Sequence, residues 1–214
     1  MLLVELTHPQ PAWRDARTFA EALHLVQALP YFLGLLLIGG FALLLPCLHA
    51  LAPATRKGRS GASLVFCAIA GALVFENYVL QTTFVPYLAR NYTSAVAPLI
   101  EAFSMANPAS FAWGLEMWGY GFLGVATWLV APVFEGGRLE RATAWTFVLN
   151  GWMSIAGALW TALVPGWVMT MPGMIAFALW NLLVVVMVVL ALSVLKKPLA
   201  GGEIQTLLVS STGG

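Results

Sequence analysis

Charged side chains are scarce in this chain. Ten Lys and Arg and nine Asp and Glu make up 9% of 214 residues, where a soluble domain carries about 25%. That scarcity excludes an ordinary soluble globular domain. The formal net charge of +1 leaves no basic stripe for nucleic acid. Cysteine is almost missing. Cys47 and Cys67 fall in separate apolar runs near one membrane face, and free thiols acting as small hydrophobes are expected rather than a disulfide. The three histidines, His8, His24 and His49, are scattered, so no haem or metal ligand set is spelled out. There is no Gly-rich phosphate loop, no H-E-x-x-H, no G-x-S-x-G, no C-x-x-C and no intramembrane lysine for a Schiff base. No cofactor, metal or catalytic residue is therefore expected. The start, MLLVELTHPQPAW, lacks the basic stretch, apolar core and A-x-A site of a secretory signal. The first apolar run is expected to serve as an uncleaved insertion signal.

What the chain has is apolar length: 60% of its residues are hydrophobic. A membrane span needs about 20 mostly apolar residues, and 30–52, 62–88, 109–134, 143–165 and 172–195 qualify. Pro53, the RKGRSG stretch, Pro108, EGGRLER, Pro165 with Gly166 and Pro172 with Gly173 separate them. Pro46 and Pro86 are expected to kink or end their helices. Ala16, Phe19, Ala20, Leu23 and Val26 recur at helical spacing opposite Arg14, Asp15, Arg17 and Glu21, which predicts an amphipathic helix over 13–29 lying on the membrane surface. Residues 92–106 read as a second short amphipathic piece, with Glu101 on its polar side. The expected architecture is an all-α polytopic transmembrane helical bundle of five spans, with six as the alternative count. It divides into an N-terminal segment (1–29), the bundle (30–197) and a disordered cytoplasmic tail (198–214). Arg56, Lys57, Arg59, Arg138, Arg141, Lys196 and Lys197 share one side of a five-span chain. The positive-inside rule then puts the C-terminus in the cytoplasm and the N-terminus outside.

Two carboxyls interrupt the apolar runs: Glu76 in SLVFCAIAGALVFENYVLQTTF and Glu116 in FAWGLEMWGYGFLGVATWLVAPVF. An ionisable group in a span costs several kcal/mol, so it usually faces a protein interior or a wet cavity. At a rise of about 1.5 Å per residue, Glu76 and Glu116 come to similar depth in the outer half. Asn181 and Ser154 reach the same level, with Asn77, Gln81 and Tyr120 nearby; Asn150 lies deeper. Such a layer reads as a polar pocket open to the outside, where a carboxyl pair would take a proton, a cation or an amine. Glu76, Glu116, Asn77, Tyr120 and Asn181 are the candidate ligand, proton or cation residues. The same groups also serve as packing glue between helices, and both readings stay open. Gly114, Gly119, Gly121 and Gly124 point to close helix approach. Trp118, Trp152, Trp160 and Trp180 fit packing, or the aromatic lining of an organic-cation site.

The stretches NPASFAWGLEMWGYGFLGVATWLVAPVF, ERATAWTFVLNGWMSIAGALWTAL and ALWNLLVVVMVVLALS resemble bacterial multi-pass membrane proteins of the domain-of-unknown-function type. The resemblance implies a helical bundle in a bacterial inner membrane and no activity. Function therefore has three readings. The first is a small-ligand or ion-handling protein, transport-like or sensory. The second is a non-catalytic subunit or scaffold that binds a partner membrane protein or a second copy. The third is an intramembrane isomerase or hydrolase. The lipid bilayer is a partner in all three.

Overall fold

The computed structural model describes residues 12–196. The expected tail and the first residues of the N-terminal segment lie outside the described residues. Among those described there is no strand. The elements are α1 (Ala16–Ala22), a 3₁₀ turn (Leu25–Ala28) running into α2 (Leu29–Leu51), α3 (Lys57–Val79), a π turn (Leu80–Phe84), α4 (Val85–Arg90), α5 (Ala97–Phe103), α6 (Phe111–Val130), α7 (Arg138–Leu163) and α8 (Met171–Leu195). Four stretches are long and apolar enough to cross a membrane: Leu25–Leu51, Ala54–Arg90, Arg138–Leu163 and Met171–Leu195. The protein is thus an all-α, multi-pass type of bundle, as its composition requires.

The remaining expected span is α6. Its 20 residues reach about 30 Å, the thickness of the hydrocarbon, but it is less apolar than the others. Glu116, Tyr120 and four glycines take the place of aliphatic side chains. The reason is its position. α6 packs against α3 on one side and α7 on the other, while α2 closes on α3 and α8 on α7. A central helix needs small and polar residues that match its neighbours more than it needs affinity for lipid. The core runs through Phe41 and Leu45 of α2, Val74 of α3, Leu123 and Val130 of α6, Phe147 of α7 and Met187 of α8.

Several local expectations change. The RKGRSG stretch is not a loop, because α3 starts at Lys57. Lys57 Nζ donates to His49 O (2.6 Å) and Ala50 O (3.0 Å), carbonyls of the last turn of α2, the first of which also accepts from Ala52 N at 3.2 Å. His49 Nδ1 and Ser60 Oγ meet at 2.8 Å. Arg56 Nε pairs with Glu135 at 3.0 Å, tying this turn to the one before α7. Pro46 sits inside α2, which continues to Leu51. Cys67 is buried and Cys47 is exposed, both as free thiols. The amphipathic helix is shorter than 13–29: Leu23 and His24 are extended, which breaks it after Ala22. Asp15 caps α1 by accepting from Thr18 N at 2.7 Å, and that hydrogen bond lowers its pKa. α1 rests on α4 and α5 through Ala16, Leu88 and Ile100, with the Arg17 guanidinium 5.8 Å from the Tyr92 ring centroid.

Pro86 explains the π turn. It has no N–H for the carbonyl of Thr82, and its ring crowds that carbonyl. The chain widens just before it, so that Val85 N bonds back to Leu80 O. Thr82 Oγ1 donates to Tyr78 O at 2.8 Å, and Thr83 Oγ1 donates to Val79 O. The wide turn carries Gln81 into the protein, where it is 5% exposed.

Gly34 and Gly151 permit close approaches between helices. A Cβ on Gly34 of α2 would overlap the Tyr78 ring. A Cβ on Gly151 of α7 would lie 2.8 Å from Gly124 O and 2.9 Å from Trp128 Cβ on α6. Backbone cannot yield as a flexible side chain does. Gly151→Ala should therefore cost about 1–3 kcal/mol, the usual penalty of overpacking. Gly39→Ala, with nothing within 4 Å of the new atom, should leave stability unchanged or raised. Thermal unfolding in detergent compares the two variants directly.

Candidate functional site

The two intramembrane carboxyls part company in three dimensions. Glu116 points inward from α6 and is 8% exposed. Its Oε1 accepts from Tyr78 Oη at 2.7 Å and its Oε2 from Asn77 Nδ2 at 3.0 Å, both across the α3–α6 interface. Glu76 is exposed on the outward side of α3 and makes no hydrogen bond or ion pair with the described residues. The expected carboxyl pair does not form, for a rotational reason. Glu76 and Asn77 are neighbours in the chain, and one residue turns a helix by about 100°. When Asn77 faces α6, Glu76 faces away.

Asn77, Tyr120 and Glu116 do come together, and Tyr78 and Gln81 complete the cluster. Gln81 Nε2 donates to Phe103 O (2.7 Å) and to Asn77 Oδ1 (3.2 Å), while its Oε1 accepts from Met105 N (3.1 Å). Asn77 Nδ2 donates both to Glu116 and to Met105 Sδ (3.2 Å). Trp113 Nε1 donates to Met105 O (2.9 Å), holding the α5–α6 connection from the other side. A backbone N–H only donates and a carbonyl only accepts, so the polarity of this chain is fixed from its protein end. Met105 N fixes the Gln81 oxygen, Gln81 fixes the Asn77 oxygen, and Asn77 is left offering its N–H to Glu116. An acceptor is required at Oε2.

The Oε1 side is free to run either way. Tyr78 and Tyr120 hydroxyls are 3.0 Å apart, and either can donate. With an ionised carboxyl the bonds run Tyr120 to Tyr78 to Glu116. With a proton on Oε1 they run from Glu116 to Tyr78 to Tyr120. The Tyr78 ring lies against Gly34 and is 5.7 Å from the Tyr31 ring centroid, which brings α2 into the cluster. Tyr120 meets Trp180 edge-on at 4.8 Å, which brings in α8.

Asn181 stays outside. Its amide donates to Phe177 O in its own helix at 2.8 Å, and the adjacent Trp180 is the inward residue, donating Nε1–H to Ser154 Oγ at 3.1 Å. Asn150 lies in a separate layer, fully buried, with Nδ2 donating to Thr127 Oγ1 at 3.0 Å and Oδ1 without a partner among the described residues. Among the described residues no three His, Cys, Asp or Glu side chains gather as a metal set.

A cleft beneath α1 and the 3₁₀ turn, lined by His24, Gln27, Tyr31, Gln81 and Ser104 among others, reaches the cluster at Gln81 and Tyr31. Its volume of about 20 Å³ holds about one water molecule. The cluster is thus a satisfied hydrogen-bond network with room for about one water at its edge.

The polarity argument separates two substitutions. Glu116→Leu strands the Asn77 N–H that Oε2 accepts, at about 1–3 kcal/mol for a buried unsatisfied group, while Tyr78 turns to Tyr120. Glu116→Gln keeps its oxygen on Asn77 and turns its amide to Tyr78, which then donates to Tyr120. It should cost less than about 1 kcal/mol, the scale of one ordinary hydrogen bond. Unfolding of the two variants in detergent checks the order; equal losses would contradict the assigned polarity.

No protein-family model, curated protein or solved structure matches this chain at a significant level.

Proposed function

We propose that this protein is a non-catalytic membrane subunit that binds a partner membrane protein through the outward face of α3. The observation that carries the reading is Glu76: a carboxylate on the apolar outer side of a membrane helix, with no partner among the described residues. Ionisable groups at membrane depth sit against protein or water far more than against lipid. In the same reading α6 is the fifth span. The basic residues from Arg56 to Lys57, Arg59, Arg138, Arg141 and Lys196 lie at the cytoplasmic end. The N-terminus is outside, in the inner membrane of a bacterium.

One observation favours a second reading, in which Glu116 handles a proton or small cation. The tyrosine chain runs in either direction, and a water-sized cleft reaches its edge at Gln81 and Tyr31. Proton flux into vesicles, abolished in Glu116→Gln, would favour this alternative.

The test of the partner reading is a photo-crosslinking amino acid placed at Ala72 or Val79 of α3, and at Leu182 of α8 as control, in the full chain in its native membrane. The α3 positions should give a discrete protein adduct, and Leu182, exposed on α8, should label lipid alone. Lipid labelling at all three positions would sink the reading.

A further inference from the structure

We infer that the occupant of this face is a membrane-spanning helix of another protein, bearing a lysine or arginine level with Glu76. The inference rests on the partner reading above and names the partner's chemistry. Its first support is the shape of the face. Ala62, Val65, Ile69, Ala72, Glu76 and Val79 are all exposed and follow one another at steps of three, four, three, four and three. That is the 3.5-residue repeat of a helix packing lengthwise on another helix, with one polar residue set among apolar knobs. Apart from Glu76 these side chains are small or β-branched, with Phe75 exposed beside them. The exposed side of α7 differs, presenting bulky Trp152, Leu159 and Leu163. Small side chains let backbones approach, which drives helix association in lipid; bulky ones suit contact with acyl chains.

Depth supplies the second support. Asn77 meets Glu116, which stands five residues inside the start of α6 at Phe111. Glu76 therefore lies about 8 Å below that helix end, inside the apolar layer and within reach of a long cationic side chain extending from a partner helix.

Charge complementarity decides the occupant. A second copy inserted in the same orientation would bring Glu76 to Glu76, two like charges. Nor, among the described residues, does a copy offer a Lys or Arg at this depth. Arg56, Lys57, Arg59, Arg138, Arg141 and Lys196 belong to the opposite end, Arg14 and Arg17 stand on α1, which packs at Leu88, and Arg90 lies 14 residues further along the same helical run, about 21 Å away. A carboxylate on a packing seam is matched by a cation, and the cation has to come from a different chain.

The experiment uses the full chain in phosphatidylcholine vesicles with a synthetic 25-residue Leu/Ala helix carrying one lysine at the level of Glu76, compared with its all-apolar twin. Association is read by fluorescence transfer. The lysine helix should bind at least tenfold more tightly than the twin. Glu76→Gln should erase that difference while leaving thermal unfolding unchanged, since Glu76 bonds to nothing inside the bundle. Equal binding of the two helices, or insensitivity to Glu76→Gln, would overturn the inference and leave the partner reading standing. Dimers of the chain itself crosslinked at Val79, with no binding of either helix, would do the same in favour of a second copy. Failure of both helices to bind a monomeric chain that labels only lipid at Val79 would overturn both.

Discussion

The structure depends on a directed chain of hydrogen bonds that starts at the backbone of Phe103 and Met105 and ends at Glu116. Water is scarce inside a bilayer, so each buried donor has to find its acceptor within the protein. The chain meets that demand with one solution. Gln81 reads both a carbonyl and an N–H of the α5–α6 connection, passes its polarity to Asn77, and Asn77 passes it to the carboxyl. The connection, the π turn, α3 and α6 are thereby set against one another in a single register. Tyr78 and Tyr120 extend the same system to α2 and α8. The π turn before Pro86 has a part in this, because it is the wide turn that delivers Gln81.

Towards the middle and opposite end of the bundle the constraint changes from polarity to volume. Gly119 faces Val74 of α3, and Gly124 crosses Gly151 of α7 at backbone contact. With lipid as apolar as the helix faces, close packing has to supply the association that water would drive in a soluble protein. The less apolar character of α6 follows from both demands. It carries the carboxyl for one end and the glycines for the other, and both of its sides are occupied by neighbours. Ser63 Oγ donating to Ala126 O at 2.8 Å adds a polar tie where the helices run closest.

The fold was legible because hydrophobic length is written plainly. Four of the five apolar runs fall on α2, α6, α7 and α8, and the fifth, 62–88, runs from α3 through the π turn into α4; the breaks fall near the prolines and glycines that mark them. Depth was legible too, since residue counts from the ends brought Asn77 level with Glu116. Direction around the helix axis was harder to read. The buried stripe of α3, continued into the π turn, is Ser60, Ser63, Cys67, Ala70, Val74, Asn77 and Gln81, a three-four repeat of small and polar residues flanked by buried Gly71 and Tyr78. Glu76 falls one place off that repeat. A small-residue stripe, rather than an apolar one, is the inward signal in a membrane helix, and Tyr78 borders it where Glu76 does not. The RKGRSG stretch misled for a different reason. Its glycines and charges read as a loop, yet Lys57 is worth more as a cap on the last carbonyls of α2 than as a solvated turn residue.

Two carboxyls at one depth and on opposite sides of one interface divide the work of the chain. Every donor to Glu116 belongs to this protein, so the group is complete when the bundle has folded and contributes nothing to a later encounter. Glu76 gains nothing from folding, because its side of α3 faces outward before and after the helices pack. Helices in a membrane insert first and associate afterwards. A polar group satisfied within the chain acts at the stage of folding, and in the proposed partner reading the one left on the surface acts at the stage of assembly. Single-residue rotation about the α3 axis, between Glu76 and Asn77, would then separate the two stages in this sequence.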